Sequence, residues 1–280
     1  MIALILPDIE NPFFTSLARG VEDVAQQHGY SVVMCNSDDD IDKESQYLRI
    51  AMSDRMAGII ICPADETTSL ESVLGSIGSV VVVDRTVRED VDQVVLDNDA
   101  VSRRAVTALI KAGRTRIACV TGPAKTLTAR TRAEVWRREL TAAGLHASDD
   151  LLAYGNFRVD GGRTATERLL SLPEPPDGIL ATNNLAGVGV LQILAERGLS
   201  EQDIGVSVIG SLPFATSSVA DIPIVPLHPR KMGMTAAEML MERLVGTATG
   251  PGRMITLTNA VTDAERALDG EAAGAVREAT

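Results

Sequence analysis

The chain has 280 residues, 45% of them apolar and 23% charged, with a formal net charge of -12. That size and balance suit a soluble globular protein of one or two domains with a sizeable core. They argue against direct contact with DNA, because an acidic chain without a basic run is repelled by nucleic-acid phosphates. No apolar run is long enough to span a bilayer, and the start, Met1-Ile2-Ala3-Leu4-Ile5-Leu6-Pro7-Asp8, has no basic leader and reads as a buried strand.

Short apolar runs alternate with helical patterns. Strands are expected at Ile2 to Leu6, Ser31 to Cys35, Gly58 to Cys62, Val80 to Val83 and Val94 to Leu96. Between them one helix lines up Leu17, Val21, Val24 and Ala25 and stops at His28-Gly29. A second lines up Tyr47, Leu48, Ala51 and Met52. This is the strand-helix-strand rhythm of a parallel sheet covered on both faces. It then repeats. A helix with Val101, Ala105 and Leu109 on one face ends at Gly113. Strands follow at Ile117 to Thr121, Leu151 to Tyr154, Gly178 to Thr182 and Val206 to Ile209, with Ala133, Trp136 and Leu140 in register on a helix between them. A last helix is expected from about Met232 to Val245 and a last strand from about Met254 to Thr258. The fold class is therefore α/β, with two doubly wound parallel-sheet lobes. An Ala/Glu-rich tail covers 263–280.

Enzyme signatures are missing: there is no GxGxxG after a strand, no GxxxxGK[ST] and no GxSxG elbow. His28, His146 and His228 form no pair at metal spacing. Cys35, Cys62 and Cys119 are odd in number, widely spaced and set in strand-like runs. They read as buried thiols in a reducing cytoplasm. No catalytic, metal or cofactor site is expected.

In open parallel sheets, ligands bind at the carboxyl ends of strands. The first such loop, Pro7 to Phe14, places two of the chain's four Phe side by side. One is expected to staple the helix start into the core and the other to stack on a ligand. Asp84-Arg85, Asp97-Asn98 and Asn183-Asn184 follow three further strands. Such residues can bind a ligand or cap the next helix, and residue type alone favours capping for Asp97, Asn98 and Asn184.

These loops make the sequence recognisable. Ile5-Leu6-Pro7-Asp8, Asn11-Pro12-Phe13-Phe14, Arg19-Gly20 and Gly29-Tyr30 resemble the opening of effector domains in the lactose-repressor/galactose-repressor family. The likeness continues in order through Asn36-Ser37-Asp38, Asp84-Arg85, Asp97-Asn98, Arg116-Ile117-Ala118, Thr121-Gly122-Pro123, Ser207-Val208-Ile209-Gly210 and Met232-Gly233. The resemblance implies a periplasmic-binding-protein-like fold with three crossings between lobes, near Asn98, Pro226 and Gly250. The first lobe would then hold 1–97 and about 227–249, and the second 98–226 and about 250–262. It also implies a homodimer paired through the helix Lys43 to Arg55 and the segment Asp65 to Leu74, where Ile50 and Met56 would need cover. Operator DNA would be reached only through an N-terminal helix-turn-helix that is absent from this sequence.

Carried over by position, the effector pocket falls on Phe13, Phe14, Asp84, Thr126, Thr128, Arg132, Phe157, Asn183 and Leu212. Leu212 stands where family members often have an acid that accepts bonds from sugar hydroxyls. A Leu cannot accept one, which points to a ligand with a carboxylate, a phosphate or few hydroxyls ahead of a plain hexose. Val135 likewise replaces a family Gly after Arg132. The expected function is effector sensing by a cytoplasmic transcription repressor, with a sugar or related metabolite as ligand. The alternative is a solute-binding protein of an uptake transporter, which shares the fold.

Overall fold

A computed structural model describes residues 1–212 and 222–258. The tail at 263–280 lies outside the described residues. In the first half, β1 (Ile2–Leu6), α1 (Pro12–Gln27), β2 (Val32–Asn36), α2 (Ile41–Ser53), β3 (Gly58–Ile61), α3 (Glu71–Ser76), β4 (Val80–Val83) and β5 (Asp92–Leu96) alternate as the periodicity requires. The second half runs α4 (Asn98–Lys111), β6 (Ile117–Thr121), α5 (Leu127–Ala142), β7 (Leu152–Tyr154), α6 (Val159–Leu170), β8 (Gly178–Ala181), α7 (Asn184–Glu196), β9 (Gly205–Ile209) and β10 (Ile224–Val225). Then come α8 (Pro229–Leu244) and β11 (Met254–Leu257).

Two parallel sheets result, with strand orders β11-β5-β4-β3-β1-β2 and β10-β9-β8-β6-β7. Central strands such as Ile2–Leu6 and Ile117–Thr121 are buried along their whole length. Helices on both faces of a parallel sheet leave no polar side, so these strands are continuous apolar runs, not alternating ones. The helices start where the sequence supplies caps. Asn11 accepts from Phe13 N with Pro12 at the first turn, Asp40 accepts from Asp42 N and Lys43 N, and Asp97 accepts from Ala100 N. Each lobe has its own core, Trp136 and Leu140 in the second and Leu17, Val21 and Leu240 in the first.

The chain crosses from the first lobe to the second at Asn98, where β5 passes into α4, and returns at 226–228, where β10 passes into α8. The third crossing expected near Gly250 is not there. β11 pairs in parallel with β5, from Met254 beside Gln93 to Leu257 beside Leu96, so it belongs to the first sheet and not to the second lobe. Its anchor is Asp92, which is buried and accepts from the backbone N of Arg253 and from the guanidinium groups of Arg243 and Arg253. α8 returns to pack on α1 so closely that a Cβ on Gly233 would stand 2.0 Å from Leu17 O, and one on Gly20 2.1 Å from Arg230 O. Of the two apolar residues expected to need cover on the pairing side, Met56 is instead buried in the first lobe's own core, while Ile50 is 40% exposed.

Candidate functional site

The carboxyl ends of both sheets face one another across a cleft of about 740 Å³, counted out to open solvent. That is the size of a small-molecule site. Phe13, Phe14, Asp84, Thr128, Arg132, Phe157 and Asn183 all line it. Thr126 and Leu212 stand outside its lining. Thr126 is the residue before α5 and is buried. Leu212 packs against the second lobe's core, its Cδ2 3.5 Å from where a Gly187 Cβ would lie. An apolar side chain gains more in the core than beside charged groups, and Ser211 lines the cleft in its stead.

The first lobe supplies one wall. Phe13 and Phe14 meet edge to face with centroids 5.1 Å apart; Phe14 is buried and Phe13 half-buried, and both line the cleft. Asp84 has φ 64°, a left-handed backbone that a non-glycine residue adopts only where its surroundings hold it there. Burial pushes the Asp84 carboxyl above its ordinary value, against the pull of Arg85 and Arg132. Burial does the same to Asp8. Arg85 is tied down by Asp39 (2.5 Å) and by the carbonyls of Pro63 and Ala64 (2.8 and 2.9 Å). Its Nε is buried and has no partner among the described residues.

The second lobe supplies the other wall. Arg132 lies in the second turn of α5 and is 3% exposed. Its Nε donates to Asn98 Oδ1 at 2.9 Å and its Nη1 to Thr182 O at 2.5 Å. Burial lowers its pKa to about 10, with Asp84 opposing the shift, so the group is cationic at neutral pH. Phe157 also has a left-handed backbone, with φ 61°. The two asparagines after β8 divide their work differently from the sequence expectation. Asn183 caps α7 by accepting from Ala186 N, and its Nδ2 donates to Phe157 O. Asn184, expected as a cap, instead donates to Asn11 Oδ1 in the other lobe at 3.0 Å.

Sequence reasoning missed most of the inter-lobe contacts. Arg158 lies 3.7 Å from Asp8, 3.9 Å from Glu10 and 3.6 Å from Asp38. Arg130 pairs with Glu66, and Lys125 Nζ reaches Asp39 O. No spacing pattern joins segments from 64 residues apart, as for Arg130 and Glu66, to about 150 apart, as for Arg158 and Asp8. Only the position of Arg158 after a strand-end Phe could have raised it.

Residues 1–264 match the family model described as periplasmic binding proteins and sugar binding domain of the LacI family. The chain belongs to this family. The ribose operon repressor of Escherichia coli K12 is 31% identical over 249 residues, covering 87% of this chain and 75% of its own length. The repressor PurR of Aliivibrio salmonicida is 27% identical over 248 residues, covering 87% and 74%. Among solved structures, a LacI family transcriptional regulator from Mycobacterium smegmatis superposes with a TM-score of 0.80 at 25% identity, covering 92% of this chain and 94% of that one. The transcriptional regulator CelR in complex with cellobiose superposes at 0.82, also at 25% identity, covering 92% and 81%. This LacI-family chain is thus an effector-binding regulatory region, and these relatives favour that role over a transporter's solute-binding protein. Among its described residues no helix is long and apolar enough to cross a membrane.

Proposed function

We propose that the cleft senses a neutral polyhydroxylated metabolite, a sugar or close relative, without turning it over. Lobe closure on that ligand passes through a homodimer in the cytoplasm to operator DNA, held by a helix-turn-helix segment outside these 280 residues. A ligand that favours one lobe arrangement shifts the population and hence the affinity for DNA. The observation that carries the ligand class is the charge balance of the described lining. The carboxylates of Asp8, Asp39 and Asp84 face the guanidinium groups of Arg85, Arg132 and Arg158. With three acidic and three basic side chains, the lining has no excess of basic residues to call for an anion. It offers acceptors and donors to hydroxyl groups, between the aromatic faces of Phe13, Phe14 and Phe157. The expectation of an acidic ligand rested on Leu212 removing a carboxylate, whereas Asp8 and Asp84 still supply two. The ribose and cellobiose in the names of the relatives support the same class.

Calorimetry against neutral pentoses and hexoses and their phosphate esters tests this reading. One neutral sugar is expected to bind. Arg132→Ala should weaken it by about ten- to a hundredfold, the loss of a charge-assisted hydrogen bond. Binding of phosphate esters alone would overturn the ligand class, and an unchanged affinity would remove Arg132 from the site. Light scattering at micromolar concentration should give a dimer mass, with exposed Ile50 on α2 covered by the second copy; a monomer mass would count against transmission through pairing.

A further inference from the structure

We propose that Asn98 is the positioning residue of Arg132: it aims the guanidinium into the cleft and ties it to the crossing between the lobes. The inference rests on the reading of Arg132 as an effector contact.

A guanidinium is a rigid planar fork of five N–H donors. Fixing its Nε and one terminal nitrogen fixes the plane and so the direction of the other. In Arg132, Nε is held by Asn98 Oδ1 and Nη1 by the backbone carbonyl of Thr182. Nη2 has no protein partner among the described residues, and Arg132 lines the cleft. Any residue at 182 would offer the same carbonyl. Among the described residues Asn98 is therefore the side chain that holds the guanidinium by a hydrogen bond.

Helix capping does not explain Asn98. Asp97 does that work, accepting from Ala100 N at 2.9 Å. The other end of the Asn98 amide makes only a long 3.5 Å contact to Leu96 O. Asp84 acts on the arginine through charge alone, without a hydrogen bond that would fix its plane. Asn98 is also the first residue of α4, immediately after β5 leaves the first sheet. A pull on Nη2 by a ligand is thus felt at the hinge, 34 residues away in sequence and one hydrogen bond away in space.

The test has two arms. In nitrogen-15 spectra of the ligand-free protein, Arg132→Lys identifies the Arg132 Nε–H resonance. A buried, bonded Nε–H exchanges slowly. Asn98→Ala should release it to fast exchange, while Asn98→Asp, which keeps the acceptor, should retain it. In the second arm, the tightest-binding neutral sugar of the calorimetric panel is titrated. Asn98→Ala should weaken it about tenfold, Asn98→Asp within about threefold, and Asn98→Ala should have no further effect in an Arg132→Ala background. A resonance that stays protected in Asn98→Ala overturns the proposal, as does an equal loss in both backgrounds. If Arg132→Ala itself leaves affinity unchanged, the reading of Arg132 as an anchor falls and this proposal with it. If Arg132→Ala weakens binding and Asn98→Ala does not, only this proposal falls.

Discussion

Phe157 can turn its ring into the cleft because residue 122 has no side chain. A Cβ on Gly122 would stand 2.2 Å from the Phe157 ring. Gly122→Ala should displace that wall, and the overpacking typically costs about 1 to 3 kcal/mol. If the cost falls on the ligand-bound state, sugar affinity drops about ten- to a hundredfold in calorimetry while near-ultraviolet circular dichroism stays native-like. Unchanged affinity would show that the ring is not a wall of the site. At this scale the sequence was informative where residue type and strand end coincided, as for Asp84, Phe13 and Phe157. It was uninformative where the outcome depended on which way a side chain turned. Leu212 went to the core, Asn183 caps α7 as well as lining the cleft, and Asn184, expected as a cap, bonds Asn11 of the other lobe, because neighbours from distant segments decide such choices.

Asp92 joins three elements. It sits on β5, receives Arg243 from the end of α8 and receives Arg253 from just before β11. Burial alone would raise its carboxyl, but the two guanidinium groups and the Arg253 backbone N–H hold it well below the usual carboxylate range. A depressed folded-state pKa contributes stability that is present above the ordinary Asp value and lost as pH falls through the folded one. Asp92→Asn should therefore lower stability by about 2 kcal/mol at pH 7, read by urea unfolding. The gap from the natural chain should narrow on acidification below about pH 4. A gap that is constant with pH would mean that the carboxylate charge does not carry the effect. Most strands were legible as apolar runs. β10, two residues long, and α3, six, were too short to show a period. The sheet that β11 joins could not be read, because a strand's own pattern does not name its partner; the Asp92 cluster decides it.

At the scale of the whole molecule, the described residues join the lobes through polar contacts around the cleft, with Leu227 packed against both cores. Arg158 faces Asp8, Glu10 and Asp38 at 3.6 to 3.9 Å, too long for direct hydrogen bonds and partly open to water. Such attractions are screened within about 8 to 10 Å at physiological salt. Arg158→Ala should widen the scattering profile of the ligand-free protein and weaken sugar binding several-fold at low salt. Both effects should shrink at about 1 M salt, where the Debye length is near 3 Å. A profile identical to that of the natural chain at low salt would remove these pairs from the closure balance. The two-lobe plan was legible from the repeated alternation of strands and helices. The closing contacts were not, since each is a meeting of two loops that share no periodicity.

The placement of β11 also sets an order on synthesis. Among the described residues the second lobe is drawn from α4 to β10, and every strand of its described sheet has been synthesised by Val225. The first lobe must wait for α8, whose Met232, Ala236 and Leu240 fill its core, and for β11 to cover the edge of β5. Domains fold as units while the chain emerges. The half of the protein that is translated first is therefore completed last, and until Leu257 emerges β5 offers an unpaired strand edge to any other nascent chain.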